Sequence, residues 1–199
     1  MNLDFLHFDI VSLVQGAGYI GLFAIIFAES GLFFGFFLPG GSLLFTAGLL
    51  ASQGFFSIWI LIPVLGSAAI LGDSAGYWFG KRVGPTLFSR ENSLFFNKKH
   101  LDQTQRFYAK YGTRTIVLGR FIPIVRTFAP ILAGVGMMHY KTFLKYNIVG
   151  AILWAVGVSW LGYFLGTRVP GVDKYLLPII LLIIITSIVP IIIELWKKK

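Results

Sequence analysis

Four ionisable side chains stand inside otherwise apolar runs: Glu29, Asp73, Arg120 and Arg126. Charges at such depth are costly and are functional candidates by default. The arginines give the sharper signal. Both lie in GRFIPIVRTFAP (residues 119–130), with Pro123 between them and Pro130 closing the stretch. On one straight helix they would sit about 9 Å apart along the axis and on different faces. A bend at Pro123 lets both guanidinium groups reach one cavity. Arginine keeps its charge in a dry site and holds phosphate oxygens in two parallel hydrogen bonds, so the chemistry indicated is recognition of a phosphate. A plainer reading has the arginines pair with Glu29 and Asp73 to hold the segment together. The two are compatible, because a carboxylate can serve as counter-ion until a phosphate displaces it.

Glu29 sits in AESGLFFGFFLPGG, where the first apolar run meets a Pro39-Gly40-Gly41 break. Burial favours its protonated form and a neighbouring arginine its charged form. A carboxylate balanced between the two can take up and release a proton near neutral pH. Asp73 lies seven residues before Gly80, and serves equally well as a proton site or as a buried partner for an arginine or a backbone amide. Other motifs carry less. GYWFGKR has the wrong spacing for a phosphate-binding loop and falls at a helix end rather than after a strand. His7, His100 and His139 are scattered, with no second histidine at metal-ligand spacing, so neither a metal nor a cofactor is expected. No cysteine is present, which excludes disulfides and thiolate chemistry.

The elements that must position these charges are membrane helices. Of the 199 residues 56% are hydrophobic and only 13% charged, against roughly a quarter charged in soluble domains. Several apolar runs reach the ~20 residues a bilayer requires, and they are continuous rather than alternating, which favours helices over a β-barrel. A net charge of +9 fits cytoplasmic loops of a membrane protein better than nucleic-acid binding. The N-terminus lacks the basic stretch of a secretory signal and is expected to stay on the mature chain.

The expected architecture is an all-α integral membrane protein forming a single transmembrane domain over residues 1–199. It comprises a spanning helix at 10–30, a re-entrant hairpin from outside at 31–52 and a spanning helix at 56–80. A basic cytoplasmic loop with an amphipathic helix follows at 81–114, then a re-entrant hairpin from the cytoplasm at 115–138 and spanning helices at 143–166 and 175–196. Parity supports the second hairpin. The loop, with eight Lys/Arg against Glu91 and Asp102, and the terminal Lys197-Lys198-Lys199 should both be cytoplasmic. An even number of crossings must separate them, so 115–138 dips without crossing. Two arginines at mid-membrane would also cost about 5–7 kcal/mol in a simple span. The hairpin turns are assigned to Pro39, Gly40 and Gly41 and to Pro123 and Pro130, with both chain termini cytoplasmic.

The chain also repeats itself. GYWFGKRVG (76–84) recurs as GYFLGTRVP (162–170), each with a proline upstream, at Pro39 and Pro123. Each repeat would be one hairpin plus one spanning helix. The two run in opposite senses through the membrane, as in transporters built from inverted repeats. The alternative is that Gly-aromatic-Gly recurs because glycines let helices pack closely.

Three motifs, E-x-G-L-F…L-P-G at Glu29–Gly40, G-D-x-x-G-Y-x-x-G at Gly72–Gly80 and G-R-F-I-P-x-x-R-x-x-x-P-x-x-A-G at Gly119–Gly134, resemble the bacterial DedA family. That family shares a domain with eukaryotic lipid scramblases of the endoplasmic reticulum, and the resemblance runs from about Glu29 to Gly166. It implies opposed re-entrant hairpins and lipid translocation in the bacterial cytoplasmic membrane, of undecaprenyl phosphate or phosphatidylethanolamine, with a link to the proton-motive force. By motif position, Glu29, Arg120 and Arg126 would be functional and Asp73 supporting. One departure is Gly41, where many members carry an acid directly after the first Pro-Gly; proton coupling here would then differ or rely on Asp73.

The expected function is a lipid-phosphate flippase whose partners are a membrane lipid and protons, with no nucleic acid. Both a monomer and a homodimer are compatible with the residues. A proton-coupled ion or drug antiporter would use the same carboxylates without lipid. A lipid phosphatase would need an acid/base pair that the hairpin regions lack, apart from His139 at an edge, so an enzyme is not expected. An assembly factor without transport is a third alternative.

Overall fold

A computed structural model of the chain describes residues 10–32, 38, 40–87 and 114–168. Pro39, most of the basic loop, the 175–196 span and both termini lie outside the described residues. The described elements are all helical: α1 (Ile10–Gly31), α2 (Gly40–Ser52), α3 (Ile58–Leu87), α4 (Arg114–Gly119), α5 (Pro123–Val135), α6 (Tyr140–Ala151) and α7 (Gly157–Arg168). A π-helical stretch, Ile152–Val156, joins α6 to α7. Among the described residues three stretches are long and apolar enough to cross a membrane: Leu13–Gly31, Ile58–Gly84 and Tyr140–Arg168. By contrast α2 and α5 have 13 residues each, about 20 Å of helix against a hydrocarbon core of about 30 Å.

Contacts divide the chain into two compact units, and each helical run longer than α2 contributes to both. In the first unit, α2 packs against α7 along its length. α2 is apolar on all sides, and Ser42 to Ala51 are all buried, as expected of a helix without a polar face. Close approach rests on glycine. A methyl on Gly48 would fall on the carbonyl of Ser159, and one on Gly162 on the carbonyl of Phe45. Nearby, the Tyr19 hydroxyl accepts the Ser57 N–H at 2.7 Å, and Trp59 meets Trp160 edge to face at 6.1 Å. Gly18, with φ of 57°, bends α1 in a conformation that L side chains rarely adopt.

The second unit repeats this device with a different short helix. α5 lies against α3, and a methyl on Gly80 would strike the Ile131 carbonyl, one on Gly134 the Tyr77 carbonyl. The Gly-aromatic-Gly recurrence therefore has a packing role in each unit: its first glycine admits Phe45 in one copy, and its second admits Ile131 in the other. Behind it, Tyr77 stacks on Phe143 at 4.6 Å, and both join Ile116 and Ala133 in a core cluster.

Several boundaries differ from the sequence expectation. α3 continues to Leu87, past Gly80, because helical backbone need not stop where polarity begins; Lys81 stays helical with its ammonium 5.1 Å from the centre of the Trp78 ring. Gly40 and Gly41 open α2 instead of forming a turn, and the first turn of a helix demands no intrahelical acceptors for its N–H groups. Pro130 does not close its segment but lies inside α5. It removes only the bond to the Arg126 carbonyl, and its ring lies against Gly76, where a methyl would still be 3.6 Å away.

The tight glycine contacts yield a paired expectation. Gly134→Ala should destabilise the purified protein by about 1–3 kcal/mol through overpacking. Gly16→Ala, with nothing within 4 Å of the added methyl, should be neutral or stabilising by about 0.5–1 kcal/mol. Thermal unfolding in detergent distinguishes the two, and equal midpoints would contradict the packing described.

Candidate functional site: two buried ion pairs

The four charges singled out by sequence all lie in the second unit, and all are buried. Local chemistry explains the placement of the arginines. α4 is a single short helix ending at Gly119, and α5 begins at Pro123. Proline suits that first helical position, since its absent N–H would be unpaired there and its φ is already helical. Between the helices, Arg120, Phe121 and Ile122 donate their N–H groups to Val117, Leu118 and Gly119 at 3.1–3.3 Å, which tightens the turn. Arg120 is thus a turn residue, while Arg126 stands in the first turn of α5, its N–H bonded to the Ile122 carbonyl at 2.8 Å.

Each guanidinium has its own partners. Arg120 Nη2 donates to Asp73 Oδ2 on α3 and to Asn147 Oδ1 on α6, and reaches the Ala69 carbonyl at 3.4 Å. Asn147 in turn donates from Nδ2 to the Ile70 carbonyl at 3.0 Å and to Ser74 Oγ at 3.4 Å. One knot therefore ties α3, the α4–α5 turn and α6. Its geometry requires Gly150, where a methyl would come within 2.7 Å of Arg120 Cδ. Arg126 Nη2 pairs with Glu29 on α1, and its guanidinium carbon sits 4.3 Å from the centre of the Trp154 ring. α1 comes close enough because Gly31 and Gly72 meet backbone to backbone; a methyl on either would stand 2.6 Å from a carbonyl oxygen.

The pairs are under-satisfied. Arg120 Nε and Nη1, Arg126 Nε, Asp73 Oδ1 and Glu29 Oε2 are buried without a hydrogen-bond partner. Such groups carry a desolvation cost that a single ion contact does not fully offset. Two residues of the site were not singled out by sequence, Asn147 and Trp154. A polar amide inside the run 143–166 was the available signal for the first. For the second it was a tryptophan well inside the run, away from the ends where Trp160 lies; the π-helical turn carries it there, a feature common at functional positions. No group of three or more His, Cys, Asp or Glu side chains able to hold a metal occurs among the described residues.

These features define a helical integral membrane protein with an ionic centre enclosed among its helices. Comparison with known proteins places it further. The family model for the VTT domain matches residues 38–164. The chain is 45% identical to Protein DedA of Escherichia coli (strain K12), over 99% of this chain and 93% of that one. It is 49% identical to the uncharacterized membrane protein ML0287 of Mycobacterium leprae, over 86% and 77% of the two chains. It is 34% identical to the inner membrane protein YqjA of E. coli, over 92% and 86%. The chain belongs to the DedA family of VTT-domain membrane proteins. No solved structure matches it.

Because breaking a buried pair strands the remaining charge, Asp73→Ala or Arg120→Ala alone should cost about 3–5 kcal/mol of stability. The double change Asp73→Ala/Arg120→Ala should cost well below the sum of the two. A double-mutant cycle on thermal unfolding provides the measurement; strict additivity would mean that the pair does not hold the fold.

Proposed function

We propose that the protein is a flippase for a phosphate-bearing lipid of the bacterial cytoplasmic membrane, undecaprenyl phosphate being the leading substrate and phosphatidylethanolamine the second. The observation that carries this reading is the pair of buried arginines whose guanidinium nitrogens are left partly unpartnered. A phosphate offers three acceptor oxygens, enough to take up donors that a singly contacting carboxylate leaves idle. Without such a site, moving an anionic headgroup through hydrocarbon would be prohibitive. The lipid tail would stay in the bilayer throughout.

In this reading α2 and α5, each too short to cross, are arms of opposed re-entrant hairpins in an inverted repeat. Arg126 exchanges Glu29 for the phosphate, and protonation of Glu29 loosens the pair and biases which side is open. Asp73 holds Arg120 in place. The α6–α7 run would cross with Lys141 and Lys145 at its cytoplasmic end. The relative called an inner membrane protein supports the assignment of membrane. An enzymatic role is disfavoured because His139, the one histidine near the second hairpin, is exposed at its edge.

The decisive assay uses purified protein in vesicles with a labelled phospho-lipid. Arg126→Ala and Arg120→Ala should slow translocation at least about tenfold, the scale of one lost charge-assisted hydrogen bond. Arg126→Lys, which keeps charge but not the fork, should fall between, and Arg168→Ala should match wild type. A folded Arg126→Ala protein moving lipid at the full rate removes the mechanism. Proton flux in vesicles lacking any phospho-lipid would favour an antiporter instead. Since the chain has no cysteine, single cysteines at positions 115 and 138 report the hairpin directly: both should label from the same face.

A further inference from the structure

α4 and α6 pack against each other, and the outer side of their seam is an open groove of about 270 Å³. It is lined by Arg114, Val117 and Leu118 from α4 and by Lys145, Tyr146 and Val149 from α6. The sequence pattern on the two helices is the same. In each, a cation precedes an apolar lining residue by one helical turn, Arg114 before Leu118 and Lys145 before Val149. The groove is therefore cationic and apolar at once.

Both cations are exposed, and Leu118 and Val149 are 66% and 43% exposed. Among the described residues the only carboxylates are Glu29 and Asp73, and both are buried against Arg126 and Arg120. No described carboxylate is therefore free to supply the negative charge that complements Arg114 and Lys145. The surroundings indicate its source. α6 belongs to a run long and apolar enough to cross a membrane, and past Lys145 it exposes Ile148, Ile152 and Leu153 with no further charge until Arg168. A basic residue at the start of such a run sits at headgroup depth, and the apolar residues beyond it face acyl chains.

We propose that this groove is a surface binding site for an anionic phospholipid. The phosphate lies between Arg114 and Lys145, and one acyl chain follows Val117, Leu118 and Val149. A soluble anion would leave the apolar lining uncovered, and an uncharged lipid would leave the two cations unmatched. The site is separate from Arg120 and Arg126. It does share a seam with Arg120, since a methyl on Gly150 would meet Arg120 Cδ at 2.7 Å and Val117 Cα at 3.5 Å. A lipid held here would border the buried ionic centre, yet its binding does not depend on translocation.

The test is native mass spectrometry of the full chain released from nanodiscs of equimolar phosphatidylcholine and phosphatidylglycerol. Wild type should retain phosphatidylglycerol in preference to phosphatidylcholine. Basic residues near an anionic lipid contribute about fivefold each, so Arg114→Gln/Lys145→Gln should weaken that preference about twenty-five-fold. Val149→Trp, which fills the groove and keeps both cations, should also release the lipid. Lys141→Gln and Arg168→Gln, exposed cations outside the groove, should change nothing. The proposal is overturned if the double variant retains phosphatidylglycerol as wild type does, or if the two outside variants lose as much. It is equally overturned if Val149→Trp has no effect, or if the double variant merely converts a two-chain species to a single chain with its lipid count unchanged.

Discussion

A guanidinium that never loses its charge cannot be left alone in a low-dielectric interior, and much of the second unit can be understood as the consequence. Arg120 is almost fully buried, and three structural elements converge to hold it: a carboxylate from α3, an amide from α6 and the tight turn that carries the arginine itself. Gly150 gives up its side chain so that the arginine's stem can pass. Arg126 imposes a parallel demand that is met by Glu29 from α1 and by the face of Trp154. Attraction between an arginine and an aromatic face strengthens where water is excluded, so the π-helical turn that carries Trp154 helps hold a charge as well as shaping a helix.

The two arrangements differ in kind. Arg120 is tied to Asp73 and Asn147, and Asn147 is itself fastened to the Ile70 carbonyl and to Ser74, whose hydroxyl donates to that same carbonyl. Removing it would loosen several elements together. Arg126, among the described residues, meets the Glu29 carboxylate and the Trp154 ring, a smaller set of contacts. A site built for a transient anion needs both properties close at hand, a rigid frame and a replaceable partner. That consideration, together with family membership, supports a transport reading over a purely structural one.

Glycine is the second constraint. The short helices α2 and α5 each lie on a glycine-bearing stretch of a long helix, with backbone against backbone. In a membrane there is no hydrophobic gain from bringing apolar helices together, so close packing supplies the attraction. The Gly-aromatic-Gly stretch that recurs in the chain is used in this way twice, one turn apart in register. The recurrence is thus explained by packing whether or not the two halves are also related by inversion.

The sequence alone determined that the chain is helical and membrane-bound, because long continuous apolar runs leave no other way to satisfy the backbone. It also singled out Glu29, Asp73, Arg120 and Arg126, since charge inside such runs is rare enough to be conspicuous, and its motifs were sufficient to indicate the DedA family. Only the tertiary structure decided which carboxylate meets which arginine, because residues 47 and 97 positions apart in sequence carry no local mark of their pairing. The same holds for Asn147, Trp154 and Gly150, ordinary residues in an apolar run until a buried charge is packed against them. That Pro130 lies inside α5 rather than at its end was likewise visible only in the structure, because a proline that forfeits one helical bond can either sit within a helix or end it.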